Sequence, residues 1–152
     1  MKLSITLAVC AILLAAFPTA QARIIKMTIS RVESPTFGGR SFGNVGQYEK
    51  LVGQIVGEID PADPHNSIIT DVNLTPRNAR GKVEYETDIM ILRPVDTSAG
   101  NHKLWYELTN RGSIVAFAQL NDAAIGNDPS KADDAGNGFL MRQGFSILIG
   151  QS

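Results

Sequence analysis

The segment Phe145-Ser-Ile-Leu-Ile149, set between Gly144 and Gly150, constrains the fold more than any other part of the chain. A nearly continuous apolar run of this length suits a strand buried on both faces, as in the parallel sheet of an α/β protein. Just before it, Phe139–Gln143 reads as a last helical turn with Gly144 at the C′ position. A strand covered on both faces needs neighbouring strands at both edges and helices above and below. The sequence reaches Ser152 two residues after Gly150 and supplies none beyond it. The expectation is an α/β chain corresponding to the N-terminal part of a larger protein, with most of its sheet lying outside this sequence.

The other end carries a second pattern. Lys2 precedes the apolar run Ile5–Phe17, which only Thr6 interrupts; Pro18 follows, and Ala20-Gln21-Ala22 forms a small-x-small site before Arg23. That is the layout of a secretory signal peptide. The run is well short of the ~20 apolar residues that span a bilayer. The reading is a signal peptide over 1–22, cleavage after Ala22, and an exported domain over 23–152, periplasmic or extracellular, with no membrane segment after cleavage. Cys10 is the only cysteine and lies in the apolar run, so the mature chain is expected to hold no disulfide and no cysteine-based zinc site. The formal net charge is -1 and the basic residues are scattered, which gives no footprint for nucleic acid.

Between these ends the periodicity is mostly two. Ile25, Met27 and Ile29 alternate with Lys26, Thr28 and Ser30, which predicts a half-buried strand over Ile24–Glu33. Ser34–Gly46 is a glycine-rich loop. Tyr48–Ile59 alternates again, and Gly53 and Gly57 fall on the face of Leu51, Ile55 and Ile59, where a glycine signals a bulge or a close approach. Pro61–Asn66 reads as a turn, Ser67–Leu74 as a possible extended segment, and Thr75–Gly81 as a loop. Lys82–Arg93 is the clearest strand, with Val83, Tyr85, Thr87, Ile89 and Ile91 on one face and Lys82, Glu84, Glu86 and Asp88 on the other. Lys103–Leu108 is a further strand, Ser113–Leu120 a short helix or irregular loop, and Asn121–Asn137 a polar loop. The order predicts an antiparallel meander that leads into a mostly parallel sheet.

Four features could carry chemistry. Gly39-Arg-Ser-Phe-Gly43 matches G-x-S-x-G, but neither flank supplies the strand and helix that a nucleophile elbow needs. Ser41 is therefore an unfavoured nucleophile, although Asp60, Asp71 or Asp88 with His102 could complete a triad. His65 and His102, both in turns, lack spaced carboxylate partners for a metal. Asp122, Asp128, Asp133 and Asp134 lack the order of a calcium loop, so no metal and no cofactor are expected. Asn110-Arg111-Gly112 stands at the C-terminal end of a strand, where α/β sheets place their sites, and a glycine there lets backbone N–H groups face an oxyanion. An ordinary strand-to-loop turn is the competing reading.

Taken together, Gly39–Glu49, Gly57–Pro61, Thr75–Ala79, Tyr106–Gly112 and Gly138–Gly144 resemble the secreted bacterial proteins known as α/β-hydrolase domain-containing. The resemblance implies an α/β-hydrolase-type, mostly parallel sheet with an antiparallel start. It implies that Asn110, Arg111 and Gly112 form the oxyanion loop, and that Phe145–Ile149 is the next strand. It also implies that the catalytic triad lies beyond this sequence, and that the complete protein hydrolyses a small-molecule carboxylic ester while this chain alone is inactive. Two alternatives stand beside it: an exported β-rich binding module without catalysis, and a small serine hydrolase using Ser41.

Overall fold

The computed structural model describes residues 22–151. The candidate signal segment and Cys10 lie outside the described residues. Five strands form one sheet: β1 (Arg23–Glu33), β2 (Tyr48–Ile59), β3 (Val83–Pro94), β4 (Leu104–Leu108) and β5 (Ser146–Gln151), in the order β1-β2-β3-β5-β4. The β1–β2, β2–β3 and β3–β5 pairings are antiparallel, and only β4–β5 is parallel. Two short helices, α1 (Ala116–Asn121) and α2 (Phe139–Arg142), lie between β4 and β5.

This overturns the expected fold class. The described residues make a small β-rich fold on a mostly antiparallel mixed sheet, not the start of an α/β-hydrolase-type parallel sheet. The physical reason lies between β4 and β5. The segment 122–137 holds no more than a single 3-10 turn, Ala132–Ala135, and the helices on either side span 6 and 4 residues, too short to lay a helical layer over a sheet. β5 then enters between β4 and β3 and pairs antiparallel with β3. Its apolar run is not covered on both faces: Ile147 and Ile149 are fully buried, while Leu148 lines an open groove on the opposite face. The segment 67–74 is a series of turns rather than extended chain, closed by bonds such as Ile69 N–H to Asn66 O and Leu74 N–H to Asp71 O.

The sheet therefore has a covered face and an open face. On the covered face Tyr48, Lys50, Met90, Leu92, Ile147 and Ile149 are buried under Phe37, Phe42, Ile114, Phe117, Leu140 and Met141. The covering layer is made of loops and single helical turns, so aromatic packing and polar ties replace a helical stripe. The Phe42 ring stands edge-on to Phe37 and to Tyr48, with centroids 5.7 and 5.6 Å apart, a favoured aromatic geometry. The Tyr48 hydroxyl donates to the Phe145 and Met141 carbonyls at 2.9 and 3.2 Å, which fixes the end of α2 to the sheet. Burial pushes this phenol well above its ordinary range. The glycine-rich loop 34–46 belongs to the core through Phe37 and Phe42.

Register places the remaining apolar side chains on the open face. One cross-strand row is Val32, Leu51, Ile91, Leu148 and Tyr106; the next is Ile29, Gly53, Ile89, Gly150 and Leu108. Among the described residues no further layer covers them, although Ile89 is buried by its neighbours on that face. The alternation in β1 predicts a half-buried strand, yet Ile24, Met27 and Val32 are each more than half exposed. The alternation holds for Met27 and Ile29, but two register shifts put Ile24 and Val32 on their face and leave Ile25 unpaired, and that face of β1 is the one without a covering layer.

Gly53 and Gly57 mark close approaches of two kinds. β1 shifts register twice against β2, and a side chain at Gly53 would run into the Thr28 carbonyl of the β1 backbone. A side chain at Gly57 would meet the ring of Tyr85, which lies over it from β3. A ring can swing aside and a bulged strand cannot. Gly53→Ala should therefore cost about 2–3 kcal/mol, in the range of overpacking. Gly57→Ala should cost under ~1 kcal/mol and free the Tyr85 ring. Urea unfolding midpoints of the two variants check the order.

Candidate functional site

The residues singled out from sequence do not assemble into a catalytic centre. Ser41 is exposed and bridges Gln47 across the neck of its loop. Gly38, Gly39 and Gly43 have positive φ and serve the turns that send Phe37 and Phe42 into the core. Arg40 reaches the Gly136 and Ala132 carbonyls and lies 5.3 Å from the centre of the Phe42 ring. Among the described residues Ser41 has no hydrogen bond to a histidine or a carboxylate. His65 pairs with Asp63, two residues away, at 2.8 Å in an exposed turn, and His102 sits in the turn before β4. Asp60 is tied to Lys82, whose hydrogen bond holds its carboxyl below the usual range. Asp88 lies beside Gln54, and Asp71 is an exposed turn residue.

The acidic loop is likewise committed to structure. Asp122 accepts from Asn137 at 2.7 Å, and Asp134 accepts from the Ser130 and Lys131 N–H groups at 2.9 and 2.8 Å. Among the described residues no three His, Cys, Asp or Glu side chains are grouped so as to hold a metal ion.

Asn110-Arg111-Gly112 is a tight turn at the end of β4. The Asn110 N–H donates to the Ser113 carbonyl and the Ser113 N–H donates back, at 2.9 and 3.0 Å. Arg111 and Gly112 both have positive φ, 52° and 79°, the signature of a type I′ turn. Asn127 holds the turn from outside, donating to the Gly112 carbonyl at 2.6 Å and accepting from Ile114 N–H at 3.1 Å. The closing bonds leave the Arg111 and Gly112 N–H groups outside the turn's own bonding. Beside it, the buried Thr109 hydroxyl has no hydrogen-bond partner among the described residues. This geometry can present donors to an oxyanion, but among the described residues no nucleophile–base pair faces it.

Three features escape sequence reading. Lys50, on the covered face, is wholly buried, with Asp128 at 2.8 Å, Glu33 at 3.2 Å, the Pro129 carbonyl at 3.1 Å and the Ser130 hydroxyl in contact. A lysine against a serine suggests a nucleophile and base. Two carboxylates paired with the ammonium make it an ion-pair anchor instead. The Lys50 hydrogen bond lowers Asp128 below the ordinary carboxylate range. Burial raises Glu33, but hydrogen bonds from Thr36 and Lys50 outweigh it and the net shift is downward. Glu107, also buried, accepts from the Val115 and Ala116 N–H groups and caps α1 from β4. The only sequence sign of either residue is a charge at an inward strand position.

The third feature is the open face, which holds a groove of about 560 Å³ lined by Ile24, Ile55, Tyr85, Ile89, Tyr106 and Leu108, among others. Gly150 adds no side chain to its floor, while the Tyr85 ring fills the space over Gly57. Its volume lies in the ordinary range for ligand sites, but it is open and mostly apolar, with Thr87 and Glu86 as its polar lining.

Compared with protein-family models, curated proteins and solved structures, the chain matches none. Among the described residues no helix is long and apolar enough to cross a membrane.

The Lys50 anchor gives an asymmetric prediction. Glu33 is partly exposed and Asp128 mostly so, and both can return to water if the lysine is lost. Lys50 cannot. Lys50→Met should therefore cost less than the double variant Glu33→Gln/Asp128→Asn, which should lose about 2–4 kcal/mol. Both carboxyls are depressed in the fold, so their contribution is present above the ordinary carboxylate range and lost as pH falls through the folded values. Acid titration of the wild type, followed by exchange of loop amides near Pro129 and Ser130, should show that loop opening first. In Lys50→Met that acid sensitivity should disappear.

Proposed function

We propose that this chain acts as a non-catalytic docking layer, whose working surface is the open apolar face of its sheet. The observation that carries this reading is the pair of apolar cross-strand rows that no layer covers among the described residues. Soluble domains seldom leave a patch of that kind bare, and those that do commonly use it. The dispersal of Ser41, His65, His102 and the acidic residues into separate structural roles supports binding over catalysis. At sub-micromolar concentration the folded protein should enhance the fluorescence of an anilinonaphthalene sulfonate dye. The double variant Ile24→Lys/Leu108→Lys should reduce that signal severalfold with its far-ultraviolet dichroism unchanged. A native protein that leaves the dye dark at all concentrations would refute the docking reading.

A second reading rests on the turn after β4. In it the chain is exported and contributes Asn110-Arg111-Gly112 to an ester hydrolase whose nucleophile arrives with the layer that covers the open face. The outward Arg111 and Gly112 N–H groups and the unpartnered Thr109 hydroxyl favour it. Gly112 stands in open space, so a side chain there meets no neighbour, although its φ of 79° disfavours one. In an assembly that turns over a short-chain aryl ester, Gly112→Ala should lower kcat by about 10²-fold, the scale of one lost oxyanion donor. The unfolding midpoint should fall only slightly. Unchanged turnover would make the turn purely structural.

A further inference from the structure

We infer that the occupant of the open face is a second copy of this chain, packed face to face about a twofold axis as a β-sandwich. This rests on the docking-layer reading above. The first argument is area. Ile24, Met27, Val32, Leu104, Tyr106 and Leu108 are each more than half exposed on one surface. With their neighbours they present on the order of 800 Å², the share each partner gives to a standard stable interface. That exceeds the ~300–600 Å² of the largest apolar patch on a typical monomer.

The second argument is charge. Among the described residues the strand register places two charged side chains on this face, Glu49 and Arg93, paired at 2.7 Å at one end, and Glu86, based on the opposite face, also lines the groove. Glu49 and Arg93 neutralise each other, so the apolar rows themselves ask for no complementary charge. An identical neutral face meets that condition, whereas an acidic or basic partner would gain nothing.

Shape is the third. The row from Val32 to Tyr106 carries a side chain on every strand, whereas the row beside it has only Ile29, Ile89 and Leu108, with the Thr28 carbonyl against Gly53 and the edges of Tyr106 and Leu108 beside Gly150. A twofold axis between the rows sets each fuller row against the other copy's sparser one, the self-complementarity that an isologous contact requires. Aligned sheets pack in this way about 10 Å apart. The edges are poorer contacts. β1 carries Lys26 and Arg31 and two register shifts, and β4 is only 5 residues long; charges, bulges and short strands all discourage edge pairing.

The test is sedimentation of the full chain at about 1 to 100 µM, a span that brackets a micromolar Kd. Two further readouts accompany it: the dye signal per chain and the rate of peroxide oxidation of Met27. The expected result is a monomer–dimer equilibrium in which the dye signal falls and Met27 oxidation slows severalfold as dimer forms. Met90 and Met141, buried in the core, should not change. Tyr106→Lys should weaken association by roughly 100-fold, and Lys26→Glu on the other face should leave it intact. The oxidation measurement needs no variant and so holds even if Tyr106→Lys fails to fold. A monomer throughout, with a dye signal that does not change with concentration, refutes the dimer and leaves the docking reading standing. Association that Tyr106→Lys does not weaken, or open-ended polymers, also refutes it. Protection of Met27 only on addition of neutral detergent micelles would assign the face to an amphiphile instead.

Discussion

The buried ammonium of Lys50 holds the two halves of this structure together. It rises from the middle of the sheet on the covered face and gathers Glu33 from β1 and Asp128, Pro129 and Ser130 from the loop ahead of β5. That loop has too little apolar surface to hold itself down. A charge that cannot reach water does so instead, because the fold must supply its partners or bear the cost of an unpaired ion. Tyr48 plays a similar part with the end of α2, and Glu107 with the start of α1. The covering layer is thus a set of short segments, each tied to the sheet by a polar group from a strand.

A layer of this kind covers one face and no more. Along the covered face the side chains turn polar beyond Val52, with Gln54 and Glu58 on β2 and Asp88, Glu86 and Glu84 on β3. There Arg23, Arg80 and Asn78 surround Glu58, and the Arg80 hydrogen bond is the main reason its carboxyl lies below the ordinary range. The open face does not turn polar and stays apolar for nearly its whole length. The molecule is asymmetric: several of its ionisable groups hold loops to the sheet, and the surface left open is mostly hydrocarbon. The two proposals about that face differ in scope. Docking requires only that something cover it, while the twofold sandwich follows from its area, neutrality and relief.

The strands were legible from sequence because period-two alternation is a local property. The alternation in Val83–Ile91 and Leu51–Ile59 sets which side chains share a face, and β3 and β2 keep that phase. Gly53 and Gly57 announced close approaches, and the structure supplies a backbone at one and an aromatic ring at the other. Which face holds the core was not legible. Apolar side chains on one face of a strand need cover, but the pattern does not say where that cover comes from. At Phe145–Ile149 the same limit produced the wrong fold class. A run that is apolar on both sides fits a doubly covered parallel strand, and it equally fits one whose Leu148 faces an open groove.

The site residues divide along the same line. The Arg111-Gly112 turn is local, and its glycine placed it correctly at the end of a strand. The absence of an elbow at Ser41 is local too: the serine sits between short turns, with no strand before it and no α-helix after it, as its glycine-rich flanks predict. Lys50, Glu107 and the groove depend on contacts between segments far apart in the chain, and no local pattern encodes them. The sequence by itself determined the strands, the phase of β2 and β3 and most of the turns, because those follow from backbone preferences and nearest neighbours. Only the tertiary structure decided which face is buried, which charges are tied down and which apolar surface is left open, because burial is a property of the whole chain's packing.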